Sequence, residues 1–265
     1  MTRLNCWKVL KAGQGSDLVL AVDFATTGRP DSSFSDLVPH LDPRLTVWET
    51  RQPDTGDGMS AQDYIERWAR EVEAGGRTVR AVLGYCAGSV FAGELAARLA
   101  GRQAQPVPFV MFDPEVPTPA ALDRDFAAMI GQFASVLSAD EVTAARQAAA
   151  AALLTAPDFA ALGDEFVRIF REQAGTAFAR EELDTDLLEE FAAVFRSFVS
   201  YLDAARGIDP TAAWRTATAV NSRQPTEGAL LAARAVGIPV DHADILRSSL
   251  TAEAVTGILS AHAPS

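Results

Sequence analysis

Residues 83–100 read LGYCAGSVFAGELAARLA, and within them Gly84-Tyr85-Cys86-Ala87-Gly88 has the G-x-S-x-G form of a nucleophile elbow with cysteine in place of serine. Such an elbow is a sharp strand-to-helix turn whose strained backbone lifts one side chain clear. Small residues on either side, here Gly84 and Gly88, provide the clearance. The turn sets the nucleophile at a helix N-terminus, where orphan N–H groups and the positive end of the dipole favour an anion. A cysteine so placed is expected to ionise more readily than a free thiol. The bland alternative is a buried structural cysteine between two chance glycines. The flanks argue against it, because TVRAVLGY before the turn reads as a strand and the residues from Ala87 to Gly101 read as a helix.

A thiol nucleophile needs a base, and the base an orienting acid. Asp113 closes the apolar run PVPFVMFD, which places it at the carboxyl end of the next strand. Its distance from Cys86, 113 − 86 = 27 residues, leaves room for one helix, a turn and a strand. Its ordinary alternative is a turn-initiating Asp before Pro114. Of the three histidines, His242 in IPVDHADIL follows an apolar stretch and precedes the last helix, so it is the expected base. His40 reads as a surface residue of an early helix and His262 as part of a frayed end. No metal is assigned to the site.

The elements that must position these residues follow a rhythm. DLVLAV (17–22), LTVWET, TVRAVLGY and PVPFVMFD are strand candidates. Helix signals lie between them: FSDLVPHL, then SAQDYIERWAREVEA at 60–74, with Ser60 as N-cap and Tyr64, Ile65, Trp68 and Val72 near helical spacing. Strand alternating with helix predicts an α/β fold with a mostly parallel sheet covered on both faces. From about 115 to 209 only helix signals remain, with wide apolar faces at Phe166, Ile169 and Phe170 and at Leu188, Phe191, Phe195, Phe198 and Leu202. TATAVNSRQ then resumes the sheet and TAEAVTGILSAH closes it. The reading is one domain over 1–265 carrying an all-helical lid inserted at about 115–209.

Composition narrows the function classes. A net charge of −12 argues against nucleic acid as the main partner. No apolar run approaches the roughly 20 residues of a membrane helix, and the N-terminus shows no secretory core, so the expectation is a cytoplasmic protein without a membrane partner. Cys6 and Cys86 do not make a disulfide framework in a chain of this size. Residues 115–209 hold 17 Asp and Glu against 7 Arg, which reads as solvated outer helix faces.

Taken together, DLVLAV and its turn, the helix before the elbow, LGYCAGSVFAGELAARLA, FVMFDPEVP and HADIL resemble the thioesterase family of polyketide and nonribosomal peptide assembly lines, including its stand-alone type II members. The resemblance runs from about residue 15 to 260 and is faint in the helical insertion. It implies an α/β-hydrolase fold, in which nucleophile, acid and histidine follow in the order Cys86, Asp113, His242. It also implies an oxyanion hole from the N–H groups of Ala25 and Ala87. Two departures stand out. The family's histidine-proline-alanine-glycine-glycine loop is here Asp23-Phe24-Ala25-Thr26-Thr27-Gly28, and its serine is Cys86.

Cysteine changes the chemistry. The acyl group stays a thioester, so loading from a phosphopantetheine thiol is near thermoneutral and the carbonyl remains reactive toward carbon nucleophiles. The Cys/Asp/His set, the elbow and the large helical insertion are similar to the Dieckmann cyclases that release tetramic acids and pyridones. That resemblance implies a β-ketoacyl-aminoacyl thioester brought on an acyl or peptidyl carrier protein, with no further cofactor. The alternatives are a type II proofreading thioesterase that hydrolyses stalled acyl groups and a non-catalytic hydrolase-fold binding protein.

Overall fold

The computed structural model describes residues 4–25, 31–53 and 58–262. Three runs that are apolar over most of their length form strands largely buried on both faces: β2 (Asp17–Val22), β4 (Thr78–Tyr85), whose polar Thr78 and Arg80 lie at its outer end, and β5 (Phe109–Phe112). With β1 (Trp7–Lys11), β3 (Thr46–Thr50), β6 (Thr218–Asn221) and β7 (Arg234–Gly237) they make one sheet in the order β1-β3-β2-β4-β5-β6-β7. Only β1 runs antiparallel to its neighbour among the described residues. β4, the strand that ends at the elbow, lies in the centre.

β1 and β7 were not expected from the sequence. Both are edge strands with half-exposed residues, and β7 (RAVG) is mostly exposed. Their pairing with β3 and β6 creates them; their own patterns are too short and too polar to announce a strand.

Helices cover both faces. On one side α2 (Ala61–Ala74) and α3 (Gly88–Ala100) pack an aromatic cluster in which Trp68 meets Tyr64, Trp7 and Phe91 at 5.4, 6.3 and 5.6 Å. α2 starts on a capping box, with Ser60 Oγ accepting the Asp63 N–H at 3.2 Å and the Asp63 carboxylate accepting the Ser60 N–H at 2.9 Å. The other face carries Val19, Ala21, Leu83, Tyr85, Val110 and Phe112 beneath α1 (Phe34–Leu37) and α9 (Ser249–Ala261).

The chain divides into two compact units. The first comprises Met1–Pro53, Ser60–Val116 and Ala205–Ser265 and contains the sheet; the second comprises Asp54–Met59 and Pro117–Ala204. The second is built on α4 (Pro119–Gln132), α5 (Ala139–Thr155), α6 (Phe159–Arg180) and most of α7 (Thr185–Arg206). Phe126 packs on Phe166 at 4.7 Å, and Phe133 on Phe170 and Phe191 at 5.2 and 5.1 Å. The apolar face expected on α7 is narrower than its sequence: Leu188 and Phe195 are buried, whereas Phe191 is 39% exposed. No described helix is long and apolar enough to cross a membrane.

Candidate active site

β4 ends at Tyr85 and α3 begins at Gly88, so the chain reverses over two residues. Cys86 takes up the turn with φ of 48°, a left-handed conformation that disfavours an L side chain by about 1–2 kcal/mol. The surroundings hold it there. The Cys86 N–H donates to Phe112 O at 2.9 Å, and its carbonyl accepts from the Ser89 N–H at 3.0 Å and the Glu115 N–H at 3.4 Å. Both flanking glycines are required by contact. A Cβ on Gly84 would lie 2.6 Å from Ser89 Cα, and one on Gly88 would lie 2.2 Å from Val22 O. Cys86 is half-buried.

Asp113 follows β5 directly, and its φ of 41° bends the chain at the sheet's carboxyl edge. It is fully buried, and a buried carboxylate is costly unless satisfied. Oδ1 accepts the Ser222 N–H at 2.8 Å, and Oδ2 meets His242 Nδ1 at 2.8 Å. His242 opens the 3₁₀ turn His242–Arg247, and its side chain is 42% exposed. The acid and the base expected from the sequence are therefore brought together across 129 residues of chain. With Nδ1–H donating to Asp113, Nε2 is left as the basic atom.

Two residues not assigned from the sequence join this group. The Tyr85 ring stacks on the His242 imidazole at 5.1 Å and 15°, and its hydroxyl lies 2.9 Å from Nε2. For the tautomer fixed by Asp113, the hydroxyl donates. Strand alternation could have revealed this, because Tyr85 shares the face of Leu83 and Ala81, the face carrying Ile245 and Leu246 of the histidine's turn. Glu115 is the second: its Oε2 accepts from Cys86 Sγ at 3.8 Å. Nothing in the local sequence marks it; the side-by-side ends of β4 and β5, paired up to Tyr85 and Phe112, put it beside the thiol.

Ala87 is the N-cap of α3 and is 7% exposed; Ala25 is half-buried beyond β2. The start of α3 abuts the end of β2, since Gly88 faces the backbone of Val22 and Asp23. Thr50 Oγ1 fixes that end by accepting the Asp23 N–H at 3.1 Å and donating to Asp23 O at 2.7 Å, with Gln52 Nε2 also donating to Asp23 O at 3.1 Å. Thr26, Thr27 and Gly28 of the same loop lie outside the described residues. The remaining histidines are elsewhere. His40 is exposed in a 3₁₀ turn after α1. His262, expected as a frayed end, caps α9: its Nδ1 bonds Ile258 O at 2.8 Å and its carbonyl accepts from Arg80.

Comparison with known proteins agrees with this architecture. No family model and no curated protein sequence matches the chain. Among solved structures it is similar to MGS-M2, an α/β hydrolase from a Medee basin deep-sea metagenome library, with a TM-score of 0.58 at 12% identity over 98% of this chain and 94% of that one. The NocB thioesterase domain from the nocardicin cluster gives 0.55 at 15% identity, covering 96% and 99%. The Vlm2 thioesterase domain bound with a dodecadepsipeptide gives 0.54 at 17%, covering 98% of each chain. The mostly parallel sheet with its strand-end elbow and these neighbours define the α/β-hydrolase fold.

Proposed function

We propose that the protein processes thioesters by covalent catalysis at Cys86, and that its reaction is a Dieckmann cyclisation. The observation that carries the reading is a cysteine held at φ 48° on the end of β4, in a site where Asp113 and His242 are hydrogen-bonded at 2.8 Å. The thioesterase domains among its structural neighbours, one of them bound with a depsipeptide, support a substrate delivered as a carrier-bound acyl or peptidyl thioester.

In this reading Cys86 attacks the carrier thioester, the carrier thiol departs, and the acyl chain rests on sulfur as a new thioester. The N–H groups of Ala87 and Ala25 stabilise the oxyanion. His242 Nε2, its ring fixed by Asp113, removes a proton from the methylene between the ketone and amide carbonyls. The carbanion attacks the acyl-enzyme carbonyl, the ring closes, and the bond to Cys86 breaks. The imidazolium returns its proton to the departing thiolate. Asp113 favours the imidazolium because its charge is buried and fully hydrogen-bonded. A tethered carbon nucleophile competes well with water, since effective molarities of positioned groups reach about 10⁵ M or more.

A β-ketoacyl-aminoacyl N-acetylcysteamine thioester tests the proposal. The expected product is a tetramic acid or pyridone, formed with loss of the thiol and without gain of water. Release of mainly the linear acid assigns the protein as a hydrolytic thioesterase instead. Absence of any acyl adduct on Cys86 removes the covalent mechanism altogether.

A further inference from the structure

The candidate site holds two proton acceptors, His242 and Glu115. His242 Nε2 receives the Tyr85 hydroxyl at 2.9 Å, and the Cys86 thiol donates to the Glu115 carboxylate at 3.8 Å. Glu115 is placed by its backbone as well as by its side chain. Its N–H donates to the carbonyl of Cys86 itself at 3.4 Å. The preceding residue is clamped, with Pro114 O accepting Thr226 Oγ1 at 2.6 Å and lying where a Cβ on Gly228 would come within 2.4 Å of it. The left-handed turn at Asp113 sets the direction of the segment. The carboxylate is thus carried on the same short loop as the triad acid, two residues on, and aimed at the sulfur.

We propose that Glu115 is a further catalytic residue, the acceptor of the Cys86 thiol proton during acylation, leaving His242 for the carbon acid. The inference rests on Cys86 being the nucleophile. As Sγ bonds to the thioester carbonyl carbon, the S–H proton passes to Glu115 Oε2. A carboxylate is a weaker base than a thiolate, so the transfer completes only as the new S–C bond consumes the sulfur lone pair, which is general-base catalysis. The tetrahedral intermediate then expels the carrier sulfur, which takes the proton from Glu115 and leaves as the thiol. Glu115 returns to carboxylate, Cys86 carries the acyl group, and no charge or redox equivalent is left over.

The arrangement makes two assays respond oppositely to one substitution. Acylation by a thioester draws on the proton acceptor. Alkylation by iodoacetamide draws on the thiolate, which a neighbouring carboxylate disfavours. In Glu115→Gln, the single-turnover rate of thiol release from the β-ketoacyl-aminoacyl N-acetylcysteamine thioester should fall about 10²-fold or more. Alkylation of Cys86 should speed up, with the midpoint of its pH profile moved to lower pH. Glu115→Asp should recover part of the acylation rate. If wild type forms no acyl-Cys86 adduct, the nucleophile assignment fails and this inference with it. An adduct that forms equally fast in wild type and in Glu115→Gln overturns the role of Glu115 alone. A parallel loss in both assays, in Glu115→Gln and in Glu115→Ala, shows a disturbed elbow and also overturns it.

Discussion

Among the described residues, three that are not glycine have positive φ: Cys86 and Asp113 in the sheet unit and Glu182 in the helical unit. The same backbone state means different things in the two places. Glu182 follows the last turn of α6, where the Leu183 N–H donates to Phe178 O at 2.9 Å, the ordinary left-handed ending of a helix. Glycine would do that work better. Cys86 and Asp113 follow adjacent strands, and each turns a side chain of the candidate site out of the sheet at the cost of strain that the surrounding contacts hold in place. The glycines differ in the same sense. Gly88 is pressed against backbone at Val22 O, whereas Gly163 in α6 is pressed against a side chain, Val199 Cγ1. At the elbow the crowding is against backbone, which cannot be exchanged; at Gly163 it is against a side chain, which can.

The most severe test of that contrast is Cys86→Ala. Turnover should disappear while the circular dichroism spectrum and melting temperature stay near wild type, because alanine keeps the Cβ and the backbone of the turn while loss of one half-buried sulfur leaves only a small cavity. Activity remaining in this variant, or an adduct on Cys6, would remove Cys86 from the mechanism. Next in size are Asp113→Ala and His242→Ala, each expected to lower turnover by about 10³-fold or more, with the double variant scarcely worse than either. Near-additive losses would show that the hydrogen-bonded pair does not act as a unit.

The glycines give a smaller and more graded effect. Gly88→Ala should destabilise by about 3 kcal/mol, since neither the elbow nor β2 can retreat. Gly163→Ala should cost about 1–2 kcal/mol and be largely restored by Val199→Ala, as side-chain overpacking can be relieved and backbone overpacking cannot. Urea denaturation measures both; equal, unrescued losses would erase the distinction between the elbow and the α6–α7 contact. The smallest effect is a gain. Glu182→Gly should stabilise by about 1 kcal/mol, a rise of about 2–4 °C in Tm for a chain of this size. A loss there would mean that the Glu182 side chain contributes more than its backbone costs.

A last difference concerns charge. Glu141 caps α5 through the Ser138 N–H at 2.7 Å and is gripped by Arg180, which holds its carboxyl down to about 2. Its contribution is present above the ordinary carboxylate range, near 4.5, and fades as pH falls toward about 2. Glu141→Gln should therefore flatten the acid limb of stability measured across that window.

Much of the sheet unit could be read in one dimension. Buried parallel strands are continuous apolar runs, helix starts carry capping residues, and the elbow is local, so β2, β4, β5, α2, α3 and Cys86 stand out from neighbouring residues alone. The pairing of Asp113 with His242 could be expected too, because the order of elements fixes which strand ends lie side by side. Other features have no local signature. β1 and β7 exist because β3 and β6 offer them free edges. Tyr85 meets His242, and Glu115 meets Cys86, through contacts between segments 157 and 29 residues apart. Local propensity and periodicity report only on what a residue's neighbours in the chain demand. Which carboxylate faces the thiol, and which hydroxyl faces the imidazole, was decided by packing at the end of the sheet.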